Sequence, residues 1–133
     1  MLHKFLIPAI IFIGIYLVAS QGLKGGPEIY PSETAALLKG EPHPVVIDLR
    51  ELVDYQKGHI SGAISVPIGE FKEKLESLKL PKDAAVVLYA TDDANVREIT
   101  RLLYEKGYQG ALTLKGGITA WRQAGYALEG AKK

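Results

Sequence analysis

The sequence predicts a doubly wound α/β domain: a mainly parallel sheet of roughly five strands flanked by helices, preceded by one hydrophobic N-terminal helix. Three observations predict it. Val45–Leu49, Ala84–Tyr89 and Ala111–Leu114 are short, near-continuous apolar runs, the signature of strands buried on both faces. Amphipathic helical patterns alternate with them along the chain. Glycine or proline punctuates most junctions, as turn chemistry requires.

The elements follow in order. Residues Met1–Lys4 carry His3 and Lys4, and the 15 residues Phe5–Ala19, FLIPAIIFIGIYLVA, carry no charge. That is the layout of a membrane anchor or of a secretory signal peptide. The core is short for a span, which takes ~20 residues, and Val18-Ala19-Ser20 offers a cleavage site, so both readings stand. Either one places the rest of the chain outside the cytoplasm: single-pass at the cell membrane, or secreted or periplasmic after cleavage. The expected division is 1–21 anchor or signal, 22–27 flexible linker, 28–129 folded domain and 130–133 tail.

Within the domain, Pro31 and Ser32 open a helix over Glu33–Leu38, and Gly40 closes it. After the Val45–Leu49 strand comes a helical turn or two at Leu52–Lys57, ended by Gly58. Ala63–Val66 reads as a strand stopped by Pro67, and Glu70–Leu78 as a helix with Phe71, Leu75 and Leu78 on one face. Ala84–Tyr89 is the most apolar strand. Val96–Lys106 is the clearest helix, with Val96, Ile99, Leu102 and Leu103 in one stripe and Arg97, Glu98, Arg101 and Glu105 opposite. Ala111–Leu114 is a strand, and Gly116-Gly117 leads into a last helix, Ile118–Ala124, with Trp121 as a core anchor.

Composition excludes several functions. The net charge of +1 gives no sign of nucleic-acid binding. The chain has no cysteine, which removes disulfides, zinc-thiolate sites and thiolate nucleophiles together.

Several motifs fall in sequence: Asp48-Leu49-Arg50, Asp54-Tyr55, Gly58-His59-Ile60-Ser61-Gly62-Ala63, Val66-Pro67, Gly107-Tyr108 and Leu114-Lys115-Gly116-Gly117-Ile118-Thr119-Ala120-Trp121. Together they resemble the single-domain rhodanese family over roughly Glu28–Glu129. The resemblance implies a sulfurtransferase scaffold. Active members carry sulfur on a cysteine that opens a six-residue strand-to-helix loop. Inward backbone N–H groups and the helix dipole lower that thiol's pKa and cradle an anionic substrate.

Counting back from Gly107-Tyr108, the resemblance places Ala90 at the cysteine and makes Ala90, Thr91, Asp92, Asp93, Ala94 and Asn95 the six loop residues. Ala90 has no nucleophile, so no catalytic residue is expected. Asp92 and Asp93 repel an anionic donor. Asn95-Val96-Arg97-Glu98 fits a capping box, with Asn95 at the N-cap and Glu98 at N3. Both aspartates also suit a helix N-terminus without any ligand. The rival for Asp92, Asp93 and Asn95 is an oxygen-rich Mg²⁺ or Ca²⁺ site, though no further ligand stands nearby. Thr91 as a substitute nucleophile lacks an adjacent base. Asp48 and Arg50 are expected to pair, and His59 to belong to a fold signature.

The expected function is a binding module. It is a rhodanese-like pseudoenzyme without cofactor or metal, tethered or exported through its N-terminus. It would dock a protein partner or a small ligand on the loop face. The alternatives are an atypical hydrolase or metal-dependent enzyme using Thr91–Asn95, or a purely structural domain of a membrane complex.

Overall fold

At the centre of the sheet, the strand Val86–Tyr89 is buried at every position, because it has a strand on each side and helices on each face. The computed structural model describes residues 26–130. The elements are β1 (Glu28–Ile29), α1 (Pro31–Lys39), β2 (Val45–Asp48), α2 (Leu52–Lys57), β3 (Ile64–Ser65), a 3₁₀ turn (Ile68–Glu70), α3 (Phe71–Leu78), β4 (Val86–Tyr89), α4 (Asp93–Glu105), β5 (Ala111–Leu114) and α5 (Gly117–Gln123). The five strands stand in the order β1-β5-β4-β2-β3, and all pairings are parallel. The fold is the α/β architecture with a parallel five-stranded sheet that the sequence predicts.

Alternating strand residues feed two cores. Ile47, Val86 and Leu88 face α3 and α4, packing with Phe71, Leu75, Val96, Ile99 and Leu103. Val46, Val87 and Tyr89 face the other way, with Leu112, Leu114, Ile118 and Trp121, and with Tyr55 of α2 at the edge. A fully buried Val or Leu adds roughly 1.5–3 kcal/mol, so these two layers supply most of the drive to fold. Trp121 is the core anchor expected, and its indole N–H also donates to Ala127 O at 3.1 Å.

The sequence reading misses β1. It is a two-residue strand, Glu28–Ile29, paired to Thr113–Leu114. So short a strand has no periodicity to detect. Pro27, read as the end of the linker, is buried, and its carbonyl accepts from Thr113 N–H at 2.9 Å. The expected anchor or signal, 1–21, lies outside the described residues, as do linker positions 22–25. Among the described residues no helix is long and apolar enough to cross a membrane.

The crossovers leave β2 and β4 towards opposite faces, α2 to one and α4 to the other. The chain therefore parts at their carboxyl ends, the place where open parallel sheets leave a crevice. Pairing continues one residue past the strands there: Leu49 N–H donates to Tyr89 O at 2.8 Å. This sets Arg50–Leu52 beside the turn that begins at Ala90.

A buried polar knot closes the base of that junction. Asp48 is fully buried and takes two hydrogen bonds from the Arg50 Nε, at 3.0 and 3.2 Å, and one from Nη2 at 2.7 Å. The Tyr89 hydroxyl donates to Asp48 Oδ2 at 2.7 Å and accepts from Ile60 N–H at 3.0 Å. Arg50 Nη2 also donates to Gly58 O at 2.6 Å. The Asp48–Arg50 pair expected from sequence is thus present, with Tyr89 as a third member. Burial works against the Arg50 cation, yet hydrogen bonding and attraction to Asp48 outweigh it and raise the guanidinium pKa above its ordinary value. Burial first, then the Asp48 charge, push the Tyr89 phenol far above its usual range, so it stays a neutral donor.

Removing one member strands the others in a dry site. Asp48→Ala is expected to lower stability by about 3–5 kcal/mol, since it leaves Arg50 buried without its counter-charge. Tyr89→Phe should cost about 1–3 kcal/mol by orphaning Ile60 N–H. Urea unfolding of each variant against the parent checks both values and their order.

Candidate functional site

The turn after β4 starts at Ala90, half-buried against the α3–α4 core. Thr91 and Asp92 are exposed. Asp92 is extended, φ −118° and ψ 130°, and its Oδ1 accepts from Ala94 N–H at 2.9 Å. That is N-cap geometry, and α4 begins at Asp93.

This corrects two expectations. The N-cap is Asp92 and not Asn95, so the Asn95–Glu98 capping box does not form; Asn95 lies in the first turn, exposed. Nor do the six residues Ala90–Asn95 form one loop: Ala90, Thr91 and Asp92 are loop, while Asp93, Ala94 and Asn95 are helix. Asp92 and Asn95 are both good capping residues. The choice between them is made by Asp93.

Asp93 turns inward. Its Oδ2 accepts from Gly116 N–H at 2.7 Å and lies 3.8 Å from Arg97 Nη1. Arg97 in turn reaches Glu28 Oε2 at 3.3 Å, which ties α4 to β1. Starting the helix at Asp93 places this carboxylate over the entry to α5. Two acidic residues at a helix N-terminus each stabilise it by about 0.3–1 kcal/mol.

The entry to α5 is shaped to fit. Gly116 has φ 81° and Gly117 φ 58°, left-handed values that favour glycine. A Cβ on Gly117 would sit 2.2 Å from Ala90 O. The close approach lets Ala90 O accept from Ile118 N–H at 3.0 Å. The Gly-Gly motif is therefore a contact surface for the turn after β4.

The other singled-out residues lie elsewhere. His59 stacks on Tyr55 with ring centroids 3.8 Å apart. Its Nδ1 is 2.9 Å from Tyr55 O, which can only accept, so Nδ1 carries a proton. The His59 and Glu129 backbones exchange hydrogen bonds at 2.9 and 2.8 Å, and Ser61 Oγ donates to Glu129 Oε2 at 2.7 Å. His59 thus belongs to a latch for the C-terminal segment. His43 pairs with Glu41 at 3.1 Å on the surface. Neither serves Thr91 as a base. Among the described residues no group of three His, Cys, Asp or Glu is placed to hold a metal ion. Asp92 and Asp93 both spend oxygens on backbone N–H groups.

Comparison with known proteins decides the family. The rhodanese-like domain model matches residues 31–124. The chain belongs to the rhodanese-like family. It is 32% identical over 99 residues to a tRNA uridine(34) hydroxylase of Protochlamydia amoebophila, covering 70% of this chain and 31% of that protein. It is 32% identical over 103 residues to the probable adenylyltransferase/sulfurtransferase MoeZ of Mycobacterium tuberculosis, covering 77% of this chain and 26% of that one. The chain thus spans no more than a third of the length of these curated relatives. Among solved structures, the Alr3790 protein of Anabaena superposes with a TM-score of 0.70 at 30% identity, over 77% of this chain and 81% of that one. A rhodanese-related protein of Thermoplasma volcanium shares the fold at 23% identity and a TM-score of 0.68, over 77% of this chain and 97% of that one.

Two outcomes follow from this rhodanese-like geometry. Gly117→Ala should destabilise by more than about 1 kcal/mol, because it adds a clash to an unfavourable φ. Gly62→Ala has a similar φ of 77° but open space around the new Cβ, so it should cost less in the same unfolding experiment. The second outcome concerns pH. Hydrogen bonds from Ser61, then from Gly62 N–H, hold the Glu129 carboxyl below its ordinary value of 4.5. A lowered folded pKa stabilises fully above pH 4.5 and is lost as pH falls through the folded value. The Gly62 amide is therefore expected to lose protection in that acidic window, read by hydrogen exchange against pH.

Proposed function

We propose that this rhodanese-like domain is a non-catalytic docking module, held at the cell membrane or exported across it by its N-terminal apolar segment. One observation carries the reading. The intact family fold presents Ala90, with no thiol anywhere in the chain, where the resemblance expects the sulfur-carrying cysteine. A methyl group cannot hold a persulfide, and no other side chain at the turn is paired with a base.

Exposed apolar surface at the same end supports docking. Tyr30, Leu52 and Val53 are 55%, 52% and 56% exposed. All three follow the carboxyl ends of strands, as the turn at Ala90 does. Docking surfaces commonly combine such apolar residues with a polar rim, here Thr91 and Asp92. The occupant is a protein partner or a small ligand. The activities named for the relatives belong to much longer proteins and do not define this one.

The full chain, assayed for thiosulfate:cyanide sulfurtransfer, is expected to match a no-protein control. Turnover well above that control sinks the non-catalytic reading. Photo-cross-linking in cells from Thr91 and Val53 should give a discrete adduct; its absence removes docking and leaves a structural domain. Mass determination of the native chain from the membrane fraction should find residues 1–21 retained if they anchor it.

A further inference from the structure

We infer that Asp93 is a latch that holds the turn after β4 shut against α5, so that loss of the thiol and closure of the turn are two separate blocks to chemistry. Three observations point to it. The α4 N-terminus is already capped by Asp92, so capping does not explain the inward turn of Asp93. Its carboxylate crosses 23 positions in sequence to take Gly116 N–H at 2.7 Å, with the side chain only 14% exposed. Oδ1 is buried without a hydrogen-bond partner. A carboxylate oxygen normally escapes such a setting by rotating to water, and here the Gly116 contact keeps it in.

A second seam runs parallel to the first. Ala90 O takes Ile118 N–H, and Gly117 packs against that carbonyl too closely for any Cβ. Asp93 and Ala90 thus fasten both ends of the turn to the same three residues, Gly116-Gly117-Ile118. Arg97 braces the carboxylate from the next turn of α4. The carbonyl of Ala90 forms this seam, while its half-buried side chain packs towards the α3–α4 core. A thiol placed at this half-buried position reports how far the seam closes the turn. The latch concerns closure alone, and failure to find a docking partner leaves it standing.

The test puts a reporter thiol on the residue whose carbonyl forms the seam, in the full chain. Ala90→Cys is alkylated with iodoacetamide at fixed pH, alone and with Asp93→Ala or Asp93→Asn. Ala90→Cys alone is expected to react slowly. Adding Asp93→Ala should speed alkylation at least about tenfold by freeing Gly116. Adding Asp93→Asn should leave it slow, because the amide oxygen still accepts the Gly116 N–H. Two results overturn the latch: the single variant reacting as fast as the Asp93→Ala double, or the Asn double as fast as the Ala double, which would make charge and not closure the cause. Hydrogen exchange on the unmodified chain keeps the idea open to refutation should a variant misfold. Gly116 N–H must be protected, and exchange at the rate of a free amide overturns the proposal.

Discussion

The Asp48 carboxylate is the constraint on which the site end of this domain depends. It is a charge buried to zero exposure at the carboxyl end of β2. Such a group is tolerable only when paired and fully hydrogen-bonded. Meeting that demand recruits Arg50 from the turn after β2 and Tyr89 from the end of β4. Through them it recruits Gly58 O and Ile60 N–H from the turn before β3. Three neighbouring strands of the sheet are thereby fixed at one level. The position of Ala90, the next residue after Tyr89, follows from this.

Above that knot the turn is built by mutual exclusion. Gly117 leaves room for Ala90 O, and Asp93 fills what remains by taking Gly116 N–H. The scaffold keeps the shape of a family whose resemblance implies anion chemistry at this end. Here most polar groups at that end are matched to one another, with Asp93 Oδ1 left buried and unpartnered. Exposed at that end are Thr91, Asp92 and the apolar side chains of Tyr30, Leu52 and Val53, among others.

Much of the fold was legible. Strand and helix patterns located β2, β4, β5, α3 and α4 to within a few residues, because each carries enough apolar residues to show its period. The Asp48–Arg50 pair and the core role of Trp121 were legible too. β1 was not, since a two-residue strand exists only through its partner β5. Tyr89 read as one more apolar strand residue, and its hydroxyl partners lie 29 and 41 positions away. Nothing local announces them.

By itself the sequence determined what chemistry is impossible and which family scaffold carries the absence. Both are properties of residue identity and order: no thiol in the chain, and motifs in a fixed succession. Tertiary structure alone decided where α4 begins. Asp92, Asp93 and Asn95 are all acceptable at a helix start, so local propensity leaves the boundary open. A contact between Asp93 and Gly116, distant in sequence and adjacent in space, outweighs the local alternatives. It converts half of an expected six-residue loop into helix.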